Sequence, residues 1–383
     1  MIIRKPPMGW NSWNTFGHDI SDKLIRETAD IMADEGYLDA GYEYLVIDDC
    51  WQEPERDKNG RLAADKNKFP DGIKPVADYV HSKGLKFGIY SCAGSMTCEA
   101  FPASYDHEFV DAETFAEWGV DYLKYDYCFK PLGFDGPTLY RRMGLALANC
   151  GRDILFSACS WGADETRKWI KTTGAHMWRA TGDINDSVGS IREHATKLIE
   201  SSLKYSACGS FADLDMLTVG MYGSGNVGVG GCDDLIYKTH FSFWSLISSP
   251  LFIGSDIRDI KKEAKDILLN KDVIAINQDD GCWQPYEIGT KGGWNPGSIP
   301  TYVKLLSTGE LAIGIFNFSE EDTKISTPID RIGLNMGTGK TLEMTEVWTG
   351  ETETVKNGVH KTMVPAHDCK LYRCRLVDIK YGV

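Results

Sequence analysis

Eight short apolar runs, each followed by a stretch with helical spacing, recur along the first two thirds of the chain. They are MGWNSW (8–13), YLVID (44–48), KFGIYS (86–91), YLKYD (122–126), ILFSACS (154–160), HMWRAT (176–181), SFADLDM (210–216) and PLFIGS (250–255). Runs of this kind read as strands buried on both faces, and parallel strands need a crossover long enough to hold a helix. The stretch SDKLIRETADIMADEG (21–36) fits such a crossover, with Ser21 as N-cap and Gly36 as stop. Residues 191–207 fit another, on the outside of the sheet. Eight strand–helix units in succession predict a (β/α)8 barrel. Beyond residue 285 the pattern changes. KGGWNPGSIP (291–300) reads as a linker, and 311–319, 341–350 and 369–377 read as antiparallel strands. The expected architecture is α/β: a barrel over residues 1–288, then a small C-terminal antiparallel β-sandwich over 289–383.

Bulk properties narrow the function. A length of 383 residues suits two domains, and 42% hydrophobic with 25% charged residues is a soluble globular profile. A net charge of −14 argues against nucleic acid and anionic membranes, and no run of 18 apolar residues appears. The start, MIIRKPPMGWNSW, has no signal-like apolar stretch, so the expected location is the cytoplasm. Eleven cysteines without a CxxC pair are expected to be mostly free thiols, and no ligand spacing supports a metal. The glycine-rich GMYGSGNVGVGG (220–231) lacks the order of a phosphate loop and reads as a flexible loop over the site. A neutral or small polar substrate fits best; a homo-oligomer stays open.

Barrel enzymes carry their reacting groups at the C-terminal strand ends. Here those ends offer Trp10, then Asp48 with Asp49, Tyr90 with Ser91, Lys124 with Asp126, Ser160 with Trp161, Arg179 with Asp183, and Asp213 with Asp215. Such a density of charge is costly to bury and so points to chemistry rather than stability. Asp126 and Asp183 form the pair that hydrolysis at an anomeric carbon requires, one carboxylate to attack and one acid to protonate the leaving oxygen. Lys124 lies two residues before Asp126, on the same strand face, and is expected to lower its pKa. Asp186 with Ser187 reads as a helix N-cap, and His176 as a packed strand residue.

The stretches PPMGWNSW (6–13), IDDCW (47–51), KFGIYS (86–91), TFAEWGVDYLKYDYC (114–128), WRATGDINDS (178–187), DLDML (213–217), SSPLFIGSDIR (248–258) and DVIAINQD (272–279) resemble glycoside hydrolase family 27, the α-galactosidases and α-N-acetylgalactosaminidases. They run in the family's order through the whole barrel. The resemblance implies a retaining exo-α-glycosidase without cofactor, acting on a terminal galactose-configured sugar of an oligosaccharide or glycoconjugate. Asp126 then looks like the nucleophile and Asp183 like the general acid/base. Asp48 and Asp49 match the pair on O4 and O6, Lys124 the lysine on O3 and O4, and Arg179 the arginine on the O2/O3 side. Trp10, Tyr90 and Asp215 with Met216 match further pocket positions. Cys98 and Cys128 match a family disulfide, whereas Cys159 meets Ala175 where its usual partner would be.

On strand five, galactose-selective members carry Glu in CEW; here the motif is CSWGA (159–163). Ser160 and Ala163, beside Trp161, resemble the pattern that leaves room for a 2-acetamido group, so acceptance of N-acetylgalactosamine is expected. FADLDML (211–217) stands where the family has WNDPDML, so aglycone preference does not carry over there. The alternatives are a β-L-arabinopyranosidase, which would have no use for the O6 contact at Asp48, and a carbohydrate-binding protein that has lost catalysis.

Overall fold

The computed structural model of the protein describes residues 3–288, 300–334 and 336–379. All eight expected strands form: β1 (Met8–Asn11), β2 (Tyr44–Val46), β3 (Lys86–Cys92), β4 (Tyr122–Asp126), β5 (Leu155–Ala158), β6 (Met177–Arg179), β7 (Phe211–Asp213) and β8 (Leu251–Ile253). They pair in parallel in the order β7-β6-β5-β4-β3-β2-β1-β8. A single parallel bridge, Leu217 to Ile253, joins the two ends of that sheet and closes the barrel. The helix at Asp22–Asp34 begins as expected, with the Ser21 hydroxyl accepting from the Leu24 amide. The expected helix 191–207 begins earlier, as Val188–Ser201, and ends in a separate 3-10 turn at Leu203–Tyr205.

Strand periodicity decides what fills the barrel. Alternate residues point inward, so Tyr44, Tyr122 and Phe252 pack in tilted contact at the closed end, with ring centroids 5.3–6.5 Å apart. Two glycines make room for these rings. A Cβ on Gly9 would lie 2.3 Å from the Tyr44 carbonyl oxygen and 2.8 Å from the Phe252 ring, and one on Gly88 would lie 3.0 Å from the Tyr122 ring. One period further along the same strands the residues are Asn11 and Lys124, and beyond them Asp48 and Asp126. The apolar floor and the polar mouth are thus written in single strands.

The second body holds a six-stranded antiparallel sheet and a two-stranded one. Its strands are β9 (Tyr286–Glu287), β10 (Thr301–Leu305), β11 (Leu311–Phe316), β12 (Thr323–Pro328), β13 (Lys340–Glu346), β14 (Thr352–Thr354), β15 (Val359–Val364) and β16 (Cys369–Asp378). β12 and β15 pair with each other and cover a core of Val303, Ile313, Ile315, Leu342, Met344 and Val364. The sandwich sits against the helix Asp234–Leu246, whose Phe243 ring meets Phe316 edge-on at 5.0 Å. Lys304 on β10 is buried there and donates to Ser248 Oγ at 2.7 Å and the Ile276 carbonyl at 2.6 Å. Except for Pro300, the expected linker 291–300 lies outside the described residues.

Candidate active site

The C-terminal strand ends open into one cavity. Of the residues expected at the site, Asp48, Asp49, Tyr90, Lys124, Asp126, Trp161, Arg179, Asp183 and Asp215 line it, along with Met216. Trp13, Asn14 and Val227 also line it and were not anticipated. A larger groove of roughly 610 Å³ lies at the opposite end, beside the start of β5, and holds no comparable set of carboxylates and cations.

Lys124 Nζ donates to Asp48 Oδ2 at 2.7 Å, and Asn11 Nδ2 donates to the same oxygen at 2.7 Å. Asn11 was missed in sequence, although its inward placement two residues after Gly9 follows from strand period. Asp49 accepts from the amides of Cys50 (2.7 Å) and Glu99 (3.1 Å). Asp126 accepts from the Tyr127 amide at 2.9 Å and from the Tyr90 hydroxyl at 3.2 Å. Cys98 and Cys128 are joined in a disulfide that ties the loop after β3 to the end of β4. On the other side, Arg179 Nη2 reaches Asp183 Oδ1 at 2.7 Å and Asp215 Oδ2 at 3.0 Å. Asp215 sits at φ 79 and Trp161 at φ 54, left-handed conformations that non-glycine residues adopt only when their surroundings enforce them.

Six carboxylates thus face two cations at the mouth, and burial raises the pKa of three of them. Burial pushes Asp126 up to about 7; Lys124 pulls it down, while Asp183 and Asp48 push it further up. Asp213 is likewise held at about 7 and Asp49 at about 6, both chiefly by burial. Lys124 does lower Asp126 as expected, but the expectation that this keeps Asp126 well ionised is corrected, because burial outweighs it. The lysine is spent on Asp48, and desolvation of a carboxylate only 6% exposed outweighs its remaining pull. Asp183 behaves oppositely. Its side chain keeps 74% of its surface, and although desolvation raises its pKa, the Arg179 ion pair prevails and holds it below the ordinary value.

Three expected residues lie away from the cavity. Trp10 alternates with Gly9 and Asn11 and so points outward, donating to the Ser255 carbonyl at 2.9 Å and packing on Phe16; Trp13 takes the place at the mouth. Ser160 is buried, with its Oγ 2.5 Å from Thr166 Oγ1, and does not line the cavity. Ala163 begins a short 3-10 turn behind it. Asp186 is not a helix cap, since Ser187 accepts the Ser190 amide at 3.2 Å. Its carboxylate instead takes the Gly223 amide at 2.7 Å and the Tyr237 hydroxyl at 2.9 Å. The glycine-rich loop is thereby pinned over the site, with Val227 and Asn226 amides bonded to the carbonyls of Asn14 and Thr15 at 3.0 Å. Its glycines serve close packing: a Cβ on Gly228 would lie 2.4 Å from the Gly223 oxygen. His176 accepts the Phe156 amide at 2.9 Å, far from the mouth.

Residues 5–279 match the family model described as alpha galactosidase A, and residues 296–374 match the alpha galactosidase C-terminal beta sandwich domain. The α-galactosidase of Cyamopsis tetragonoloba is 40% identical over 370 residues, covering 96% of this chain and 85% of the relative. The crystal structure of α-galactosidase I from Mortierella vinacea superposes with a TM-score of 0.87 at 33% identity, covering 97% of both chains. The Saccharomyces cerevisiae α-galactosidase with raffinose superposes at 0.85 with 28% identity, covering 98% of both.

Proposed function

The chain belongs to glycoside hydrolase family 27, the family of the α-galactosidases, and from that premise we propose that it is a retaining exo-α-galactosidase. The observation that carries the reading is the presence of Asp126 and Asp183 in one cavity whose remaining wall combines hydrogen-bonding charges with aromatic side chains such as Trp13, Tyr90 and Trp161. Asp126 attacks the anomeric carbon while Asp183 protonates the departing oxygen; Asp183 then deprotonates the water that releases the sugar. Asp48 and Lys124 present an acceptor and a donor 2.7 Å apart, suited to vicinal hydroxyls such as O3 and O4. The natural substrate is a terminal α-galactoside of an oligosaccharide, the class represented by the raffinose bound to the yeast relative.

The surroundings of the two carboxylates push their pKa values the opposite way from what the chemistry needs. Asp126 is raised to about 7 and Asp183 is lowered, whereas attack needs Asp126 ionised and Asp183 protonated. Substrate binding reverses this. Sugar hydroxyls that accept from Arg179 draw its donors from Asp183, and the covered Asp183 then holds the proton that Asp126 gives up.

A second reading concerns the 2-position. Ser160 keeps its hydroxyl on Thr166, so strand five offers the sugar O2 no carboxylate, and N-acetylgalactosamine is proposed as an accepted substrate. The deciding experiment compares kcat/KM on p-nitrophenyl α-galactoside, α-N-acetylgalactosaminide and β-L-arabinopyranoside, with Asp126→Asn as control. Loss of about 10⁴-fold in the variant, with galactose still bound, is expected. A fully active Asp126→Asn protein would remove the nucleophile. A wild type active only on the arabinoside would replace the α-galactoside reading, and silence on all three would leave a binding protein.

A further inference from the structure

At the closed end of the barrel, opposite the mouth, two of the free cysteines meet. Cys208 lies in the tight turn closed by the Ala207–Ser210 bridge, immediately before β7, and its thiol is exposed. Cys282 follows the turn after the helix Lys271–Asn277, on the stretch that leads into β9, and is 5% exposed. Both thiols donate to one acceptor, the Arg4 carbonyl, at 3.5 Å from Cys208 and 2.8 Å from Cys282. Sharing that acceptor brings the two sulfurs together closely enough for Cys208 to raise the pKa of Cys282. Neighbouring contacts hold this junction in place: Gln284 Nε2 donates to Ser206 Oγ at 3.3 Å, and Gln278 Nε2 to the Pro6 carbonyl at 2.9 Å.

We propose that Cys208 and Cys282 form a reversible disulfide, with a small-molecule disulfide such as oxidised glutathione as the oxidant. The exposed Cys208 gives up its proton and attacks one glutathione sulfur. The glutathione S–S bond breaks, and the first glutathione leaves as a thiol carrying that proton. Cys282 then attacks the Cys208 sulfur of the mixed disulfide; the Cys208–Cys282 bond forms and the second glutathione leaves with the Cys282 proton. Two protein thiols lose two electrons, and one glutathione disulfide becomes two thiols. Burial, reinforced by Cys208, pushes the Cys282 thiol up to about 12, so the second step sets the rate. The bond closes a loop of roughly 70 residues, which constrains the unfolded chain and leaves the mouth untouched.

The test is independent of the substrate. The whole protein is incubated with oxidised glutathione, quenched by alkylation and mapped by mass spectrometry. A Cys208–Cys282 linked peptide is expected, together with a rise of about 5 °C in Tm that a reductant reverses and that Cys208→Ser lacks. Activity per molecule stays unchanged. A protein that stops at a glutathione adduct on Cys208, with Cys282 still alkylated once unfolded, overturns the proposal. So does a linked peptide that joins either cysteine to a third one.

Discussion

Inside the barrel, the three aromatic rings at the closed end and the charges further along the same strands are buried to similar degrees by different means. The rings need only shape: Tyr44, Tyr122 and Phe252 fill the space that Gly9 and Gly88 leave. The charges need partners, since an isolated buried ion costs several kcal/mol. Asp48 has Lys124 and Asn11, Asp215 has Arg179, and Asp126 and Asp213 hold protons near neutrality. The lower layer supplies stability through packing, while the upper layer draws on that stability to keep its charges reactive.

The harshest way to break this contrast is to remove Lys124, the cation paired with Asp48. Lys124→Met should lower kcat/KM by about 10³-fold and stability by about 3–5 kcal/mol, read from turnover and the urea midpoint together. A loss of activity alone would mean that Asp48 finds another partner. Below, Gly9→Ala should cost about 3 kcal/mol by overpacking, with kcat/KM unchanged in the folded fraction. A catalytic defect there would show that the two layers are not independent.

The proton held by the upper layer gives a gentler probe. Asp126 is raised, so the carboxylate pair keeps its proton up to about pH 7 and loses it above. A profile of kcat/KM against pH should therefore fall about tenfold per unit on the alkaline side of that value. A flat profile to pH 9 would place the proton elsewhere. The smallest effect belongs to a carboxylate outside both layers. Asp186→Asn should cost about 1–2 kcal/mol and raise KM a few-fold with kcat held, measured by steady-state kinetics and thermal melts.

Much of this was legible in the chain, and what was not has physical reasons. All eight barrel strands declared themselves, because strands buried on both faces are continuous apolar runs. In the sandwich β9, β10, β12, β14 and β15 escaped, since very short strands and an alternating strand such as TKISTP (323–328) look little different from a loop. The charged mouth followed from strand ends, and its electrostatics did not. That Lys124 shares a face with Asp126 is a matter of period; that it spends its charge on Asp48 depends on β1 supplying Asn11 alongside. Trp10 and Trp13 look alike in a motif, but Trp10 lies on the outward side of β1 whereas Trp13 opens the helix Trp13–Phe16 at the mouth. Asp186 read as a cap because its neighbour Ser187 does cap, whereas its partners Gly223 and Tyr237 lie far along the chain.

That last pairing has a consequence for how relatives of this enzyme diverge. The loop over the mouth is fastened at a few points, by Asp186 to the Gly223 amide and by the Asn226 and Val227 amides to the segment after β1. Whatever lies between the fastenings adds little to the barrel core. Such a stretch can change where a Cβ has room: Gly225 and Gly228 are closed by backbone 2.8 and 2.4 Å away, so variation suited to new leaving groups falls on the other side chains while the site beneath is kept. A lineage that lost the buried carboxylate would forfeit that freedom, because each new loop would then have to supply its own anchor.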